Sequence, residues 1–327
     1  MQEEEFRKYL RKRDYSVNEV DKAVSSVMEF EKYLNVAGAS LESASLKDLK
    51  KYIELLISGG LNTEDRLLAL ARYFYLMKRN DFYTYFASIL GGSGVYRSIA
   101  SRLEELEWSE KRRQVFKGFV EPHIGSPPEA FPPCTRELLR RLNSSLPQER
   151  VREVLAGNHH RIPVEHFKDM RARWEAAATM EEFLAGEHKL LIAELEEAMK
   201  SGRLWYEQEI TPEVVEYVRG DQTIQIGVLD GDVVLKSKIP FAPAQWLMEK
   251  DQKMRRYYGC HCQLAREAIL KDEVEPLASF CYCSAGYEKL PLEVVLGVPL
   301  EVKVLESVLA GDERCRFAIK IPRDKLK

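Results

Sequence analysis

Apolar residues recur at helical spacing through residues 1–90. Val20, Val24, Val27, Met28 and Leu34 predict one buried helix face. Ser45 and Asp48 form a capping-box pattern ahead of Leu49, Ile53 and Leu56, and Gly59-Gly60 ends that helix. Asn62 or Thr63 opens the next, with Leu67, Leu70, Ala71, Phe74 and Met77 on one face. Phe82, Tyr85, Phe86 and Ile89 continue the pattern to the glycine run Gly91-Gly92-Ser93-Gly94, which reads as a linker.

The segment after it is helical but broken. Pro122 to Pro133 predicts irregular backbone, because proline removes donors and restricts the residue before it. Helical patterning resumes up to Gly202, and there the period changes. Leu204–Ile210 and Thr223–Leu229 alternate like half-buried strands, and Asp230-Gly231 is a hairpin signal ahead of Val233–Ile239. A helix with Trp246, Leu247 and Met254 follows. Gly286–Leu296 reads as a second helix, and two strands around Gly311-Asp312 end the chain. The predicted fold is multidomain: all-α N-terminal and middle regions, then an α+β C-terminal domain with an antiparallel sheet. The expected boundaries are 1–92 for a helical bundle, 93–203 for the middle region and 204–327 for the cysteine-bearing domain.

Composition is that of an ordinary globular protein, 45% hydrophobic and 31% charged. A formal net charge of −3 gives no bulk-charge argument for nucleic-acid binding. No apolar run is long enough to span a bilayer, so no membrane partner is expected. The opening MQEEEFRKYLRKR has no export pattern, which predicts a cytoplasmic protein with reduced thiols.

Five of the six cysteines lie from Cys260 onward: Cys260-His261-Cys262, Cys281-Tyr282-Cys283 and Cys315. In extended backbone each Cys-x-Cys pair presents two sulfurs to one side, which suits tetrahedral thiolate coordination of zinc. Two other readings stay open, namely buried or redox-active thiols and a catalytic thiol with His261 as base. Arg255, Arg256 and Arg266 favour thiolate in either case. Cys134 reads as packed, His159-His160 as a loop between helices, and Lys236 with Lys238 as a strand edge or a pocket mouth. No glycine-rich phosphate loop, nucleophile elbow or His-Glu-x-x-His helix is present.

Two resemblances add to this. FRKYL, EVDKAV…EFEKYL, ASLKDLKKYIELL and TEDRLLALARYFYLM resemble the helical core-binding (SAM-like) domain of tyrosine recombinases. That resemblance implies DNA contact, for which Arg11, Lys12, Arg13, Lys50 and Lys51 are the candidate cations. Nothing after residue 90 resembles the recombinase catalytic domain, so recombination is not implied. The segment from Phe280 to Ile321 resembles the end of the four-vinyl-reductase, or hydrocarbon-binding, domain through Cys283, Gly286-Tyr287, Gly297-Val298-Pro299 and Gly311-Asp312-Glu313-Arg314-Cys315-Arg316-Phe317. Residues 150–325 also resemble an uncharacterised prokaryotic family carrying the same CHC and CYCSAGY segments.

The second resemblance implies a small apolar ligand above a zinc held by Cys283, Cys315 and Glu306, with Cys260, Cys262 or Cys281 completing the set. The expected function is therefore a sensor or regulatory protein that binds a small apolar molecule at a cysteine-held zinc. Its helical N-terminal unit would contact DNA or a partner, and a homo-oligomer is compatible with it. The alternative is a metal- or thiol-dependent enzyme acting on a small molecule at the same cysteines.

Overall fold

The structure is a computed structural model that describes residues 1–327. The chain forms two compact units, Met1–Ser93 with Pro122–Ala130, and Gly94–Glu121 with Phe131–Lys327. Residues 93–203 and 204–327, read apart in the sequence, thus contribute largely to one unit.

The first unit is built on helices Glu3–Arg11, Val17–Val36, Leu46–Ser58, Glu64–Leu76 and Asn80–Leu90. Ser16 with Glu19, and Ser45 with Asp48, close reciprocal capping boxes, and Thr63 accepts from the Arg66 amide. Phe6, Phe30, Tyr73, Phe74, Phe82 and Phe86 fill the core. Met28 departs from its expected place and is 50% exposed, because Phe30 takes the inward position on that helix. The Asn62 amide donates to the Ile124 carbonyl at 2.7 Å, tying the Pro122–Ala130 segment to this core.

The second unit has an antiparallel sheet of β1 (Val228–Asp230), β2 (Val233–Ser237), β3 (Glu301–Glu306) and β4 (Arg316–Lys320), in the order β1-β2-β4-β3. The β1–β2 hairpin turns at Gly231, whose φ of +63° explains the glycine. Val234 and Ile319 on the inner face pack against Leu292, Val295 and Leu296 of the Cys281–Leu296 helix. All-α N-terminal and middle parts and an α+β C-terminal part are thus present.

Several local expectations are corrected. Leu204–Ile210 is no strand: Trp205 and Gln208 exchange both backbone hydrogen bonds, so the chain reverses at Tyr206-Glu207. Pro212–Arg219 follows as a helix capped by Thr211. In Thr223–Leu229 only the residues from Val228 join the sheet as strand; Ile224 makes a single bridge to Ser237, and Gly227 at φ +115° interrupts the run. The proline-rich segment becomes helical at Phe131, with Pro132 and Pro133 in the first turn, where no intrahelical donor is lost. Trp246 and Met254 lie on separate helices, Pro243–Met248 and Gln252–Gly259. The last helix starts at Cys281, not Gly286.

Candidate functional site

The period of two in β2 places Lys236 on the face of Val234, and continuing it places Lys238 there too. That face is covered by the Cys281–Leu296 helix, and β2 is flanked on both sides, so Lys236 is not at a sheet edge. Both ammonium groups meet one carboxylate. Lys236 Nζ lies 2.8 Å from Glu288 Oε2 and Lys238 Nζ lies 3.3 Å from Glu288 Oε1. Glu288 is buried, so both contacts are made largely out of water. Burial alone would raise the carboxyl pKa; Lys236 and Lys238 outweigh it and hold the group below its usual range. Burial would likewise depress Lys238, but Glu288 outweighs this and leaves its pKa raised.

The first two turns of the Cys281–Leu296 helix assign a task to almost every residue. The Cys281 thiol and the Ser307 hydroxyl lie 2.9 Å apart in a buried hydrogen bond. Ser284 Oγ accepts from Lys238 Nζ at 3.2 Å. Gly286 permits close approach of the loop at Ala156-Gly157, since a Cβ there would lie 2.5 Å from backbone atoms of both residues. That approach brings the His160 ring edge-on to Tyr287 at 5.5 Å, while Lys238 Nζ lies 5.2 Å from the centre of the Tyr287 ring. Because this segment is helical, Cys281 and Cys283 point about 200° apart around the axis. The expected same-side pair of sulfurs does not exist there.

The Gln252–Gly259 helix ends at Cys260, whose backbone is extended, and His261 and Cys262 follow outside any helix or strand. His261 Nε2 donates to the Ile239 carbonyl at 2.6 Å, and its ring packs edge-on against Phe241. Burial, then Lys238, push its pKa down to about 3, so His261 positions the end of β2 and is no base for a neighbouring thiol at neutral pH. Cys260, Cys281 and Cys283 share one apolar core, with Cys262, Cys315 and Cys134 packed on it, and all six are free. Burial pushes the Cys262 and Cys283 thiols up to about 12, while Lys238 pulls both the other way.

Cys260, Cys262, Cys281 and Cys315 lie in the same core and act electrostatically on one another. No three His, Cys, Asp or Glu side chains come within reach of one ion. Glu306 shows why: a register shift between Val304 and Glu306 sets it opposite Arg316, with which it pairs at 2.8 Å. Period-two extrapolation from Val302 and Val304 would have kept it on the inner face. Cys281 is already hydrogen-bonded to Ser307.

A polar rim surrounds Lys238 instead. Solvent reaches His160 and Tyr206 freely and Glu207, Tyr287, His261 and Cys262 in part. Burial nonetheless pushes His160 to about 4 and raises Tyr206, Glu207 and Tyr287. Lys238 touches Glu288, Ser284 and Tyr287 and acts electrostatically on His160, Glu207, Cys262 and Cys283. The buried Gln208 donates to the Pro240 carbonyl at 3.3 Å, which fixes the Tyr206-Glu207 turn beside the end of β2. His159 faces elsewhere: its Nε2 donates to the Val154 carbonyl and its Nδ1 meets the Ser98 hydroxyl.

Sequence reasoning missed Glu288, Tyr287, Tyr206 and Glu207. A usable signal was present in two lysines that share the face of Val234 in a strand predicted to pack on helices. In the first unit, Arg11, Lys12, Arg13, Lys50 and Lys51 are exposed; Arg13 lies over the Tyr9 ring and Lys50 over Tyr85.

Residues 236–326 match a family described as a family of unknown function (DUF6144). The matched span holds Lys236, Lys238, both cysteine pairs and Glu288. No curated protein and no solved structure matches the chain.

Proposed function

We propose that the second unit is a small-molecule receptor whose ligand carries an anionic group held by Lys238. The observation that carries this reading is the charge balance around Glu288. Two lysines share one carboxylate there, and the outer of the two, Lys238, also faces solvent-touched side chains. A half-buried cation that shares its one carboxylate with a second lysine favours an anion over the apolar ligand expected from the sequence. Ser284 and Tyr287 flank the ammonium and would orient the bound group.

Thermal denaturation with a panel of small carboxylates, each beside its neutral amide, tests the receptor reading. Carboxylates should raise the melting temperature, by about 2.7 kcal/mol of stabilisation at a hundredfold excess over Kd, and amides should not. Equal effects of acid and amide, or none from any acid, would overturn it.

A further inference from the structure

One surface of the first unit joins unpaired cations to partly exposed tyrosines. The turn after the Glu3–Arg11 helix brings Arg13 back over the Tyr9 ring, 3.7 Å from its centre. Tyr15, two residues on, lies under Arg72 of the Glu64–Leu76 helix at 4.9 Å. One helical turn beyond Arg72 is Tyr75, whose ring meets that of Tyr83 on the next helix at 4.9 Å. The two ends of this row are tied together underneath. Tyr9 stacks on Phe6, and Phe6 packs edge-on at 5.3 Å against Tyr73, the residue after Arg72. Arg13, Tyr75, Arg72 and Tyr15 all act electrostatically on Tyr9. The four tyrosines of the row are partly exposed.

The fold does not use the cations of this row. Ion pairs in the unit engage the N-terminus, Arg7, Arg66 and Arg79, and none engages Lys12, Arg13, Arg72 or Lys78. Asp14 is the one carboxylate in the turn that carries Arg13. Lys50 stays outside the row. It lies over Tyr85, which is two residues from Tyr83 and so points to another side of the Asn80–Leu90 helix.

Guanidinium groups over tyrosine rings, with no carboxylate to neutralise them, combine planar stacking surfaces with donors left for phosphate. An acidic protein would use the charges alone. An unpaired nucleotide uses both, because every base has a π-face and every link a phosphate. Bases in a duplex are already stacked on one another and leave only phosphates for such a surface. We propose that this tyrosine–arginine surface binds single-stranded nucleic acid, its bases against the tyrosine rings and its phosphates on Arg13, Arg72 and the flanking lysines. This activity is separate from ligand binding by the second unit.

Fluorescence anisotropy of a labelled oligothymidylate of about twenty nucleotides, titrated with the full chain, tests it. Wild type should bind with a log–log salt slope of about −2, the value for three phosphate contacts on a single strand. The double variant Arg13→Ala, Arg72→Ala should bind at least about tenfold more weakly, with the slope reduced to about −0.7. Tyr75→Leu, which keeps an apolar side chain, should weaken binding about fivefold or more and leave the slope unchanged. Circular dichroism checks that both variants fold. A duplex of the same length, or polyglutamate of the same charge, should compete at least about tenfold less well than the single strand. Absence of binding at low salt, equal competition by duplex or polyglutamate, or folded variants that bind like wild type would each overturn the proposal.

Discussion

Lys238 and Glu288 meet at 3.3 Å, one from the end of β2 and the other from the helix laid across it, and Lys236 grips the other oxygen of the same carboxylate at 2.8 Å. This three-group cluster joins the sheet to the helix. It also leaves Lys238 in contact with the Ser284 hydroxyl and the Tyr287 ring.

Removing the shared carboxylate should therefore unfold the unit more readily. Glu288→Gln leaves two buried ammonium groups uncompensated, and a loss of about 3–5 kcal/mol in urea-unfolding free energy is expected. The sign with pH follows from the lowered carboxyl pKa. The stabilisation is present above the unfolded value of 4.5 and is lost as pH falls through the folded one, so wild type and variant should converge in acid. A constant gap down to the lowest pH would contradict this.

Gly286→Ala should destabilise. In an ordinary helix the change gains about 1 kcal/mol, but here the added methyl meets the backbone of Ala156 and Gly157 at 2.5 Å. A net loss of about 1–3 kcal/mol is expected from overpacking, read as a lower melting temperature. A stabilised variant would show that the helix and the His160 loop do not approach as described.

Acid should weaken the fold through its imidazoles as well. Burial holds His159 near 4 and His261 near 3, both below their unfolded value of 6.5. The unfolded chain thus takes up protons first, and stability should decline as pH drops from 6.5 toward 4. His159→Gln should flatten that decline; an unchanged slope would exclude His159 as a source.

The thiols should react slowly. At pH 8 iodoacetamide should label native Cys262 and Cys283 at least tenfold more slowly than in urea, since burial pushes both up to about 12. Equal rates would place these thiols at the surface.

Any zinc bound by the protein should be independent of Glu306, which pairs with Arg316. Elemental analysis of Glu306→Gln should match wild type, and loss of metal in that variant alone would restore the sequence-derived ligand set.

Much of the fold was legible because its signals are local. Ser45 with Asp48, Asp230-Gly231 and the apolar stripe through Phe74 each encode their element within a few residues. The cysteine segments were recognisable, but their geometry was not. Cys281 and Cys283 lie on a helix, where residues two apart diverge, and one bulge residue turned Glu306 to the face of Arg316. The Lys238 cluster is non-local: Glu288, His160 and Glu207 come from three distant segments, and no spacing in the sequence pairs them.

The most direct test is calorimetric titration of the carboxylate that stabilises wild type most, into wild type, Lys238→Met and Lys236→Met. Lys236→Met keeps the Lys238–Glu288 pair and should retain binding, whereas Lys238→Met, folded by circular dichroism, should lose at least tenfold in affinity. Undiminished binding to Lys238→Met would contradict the account.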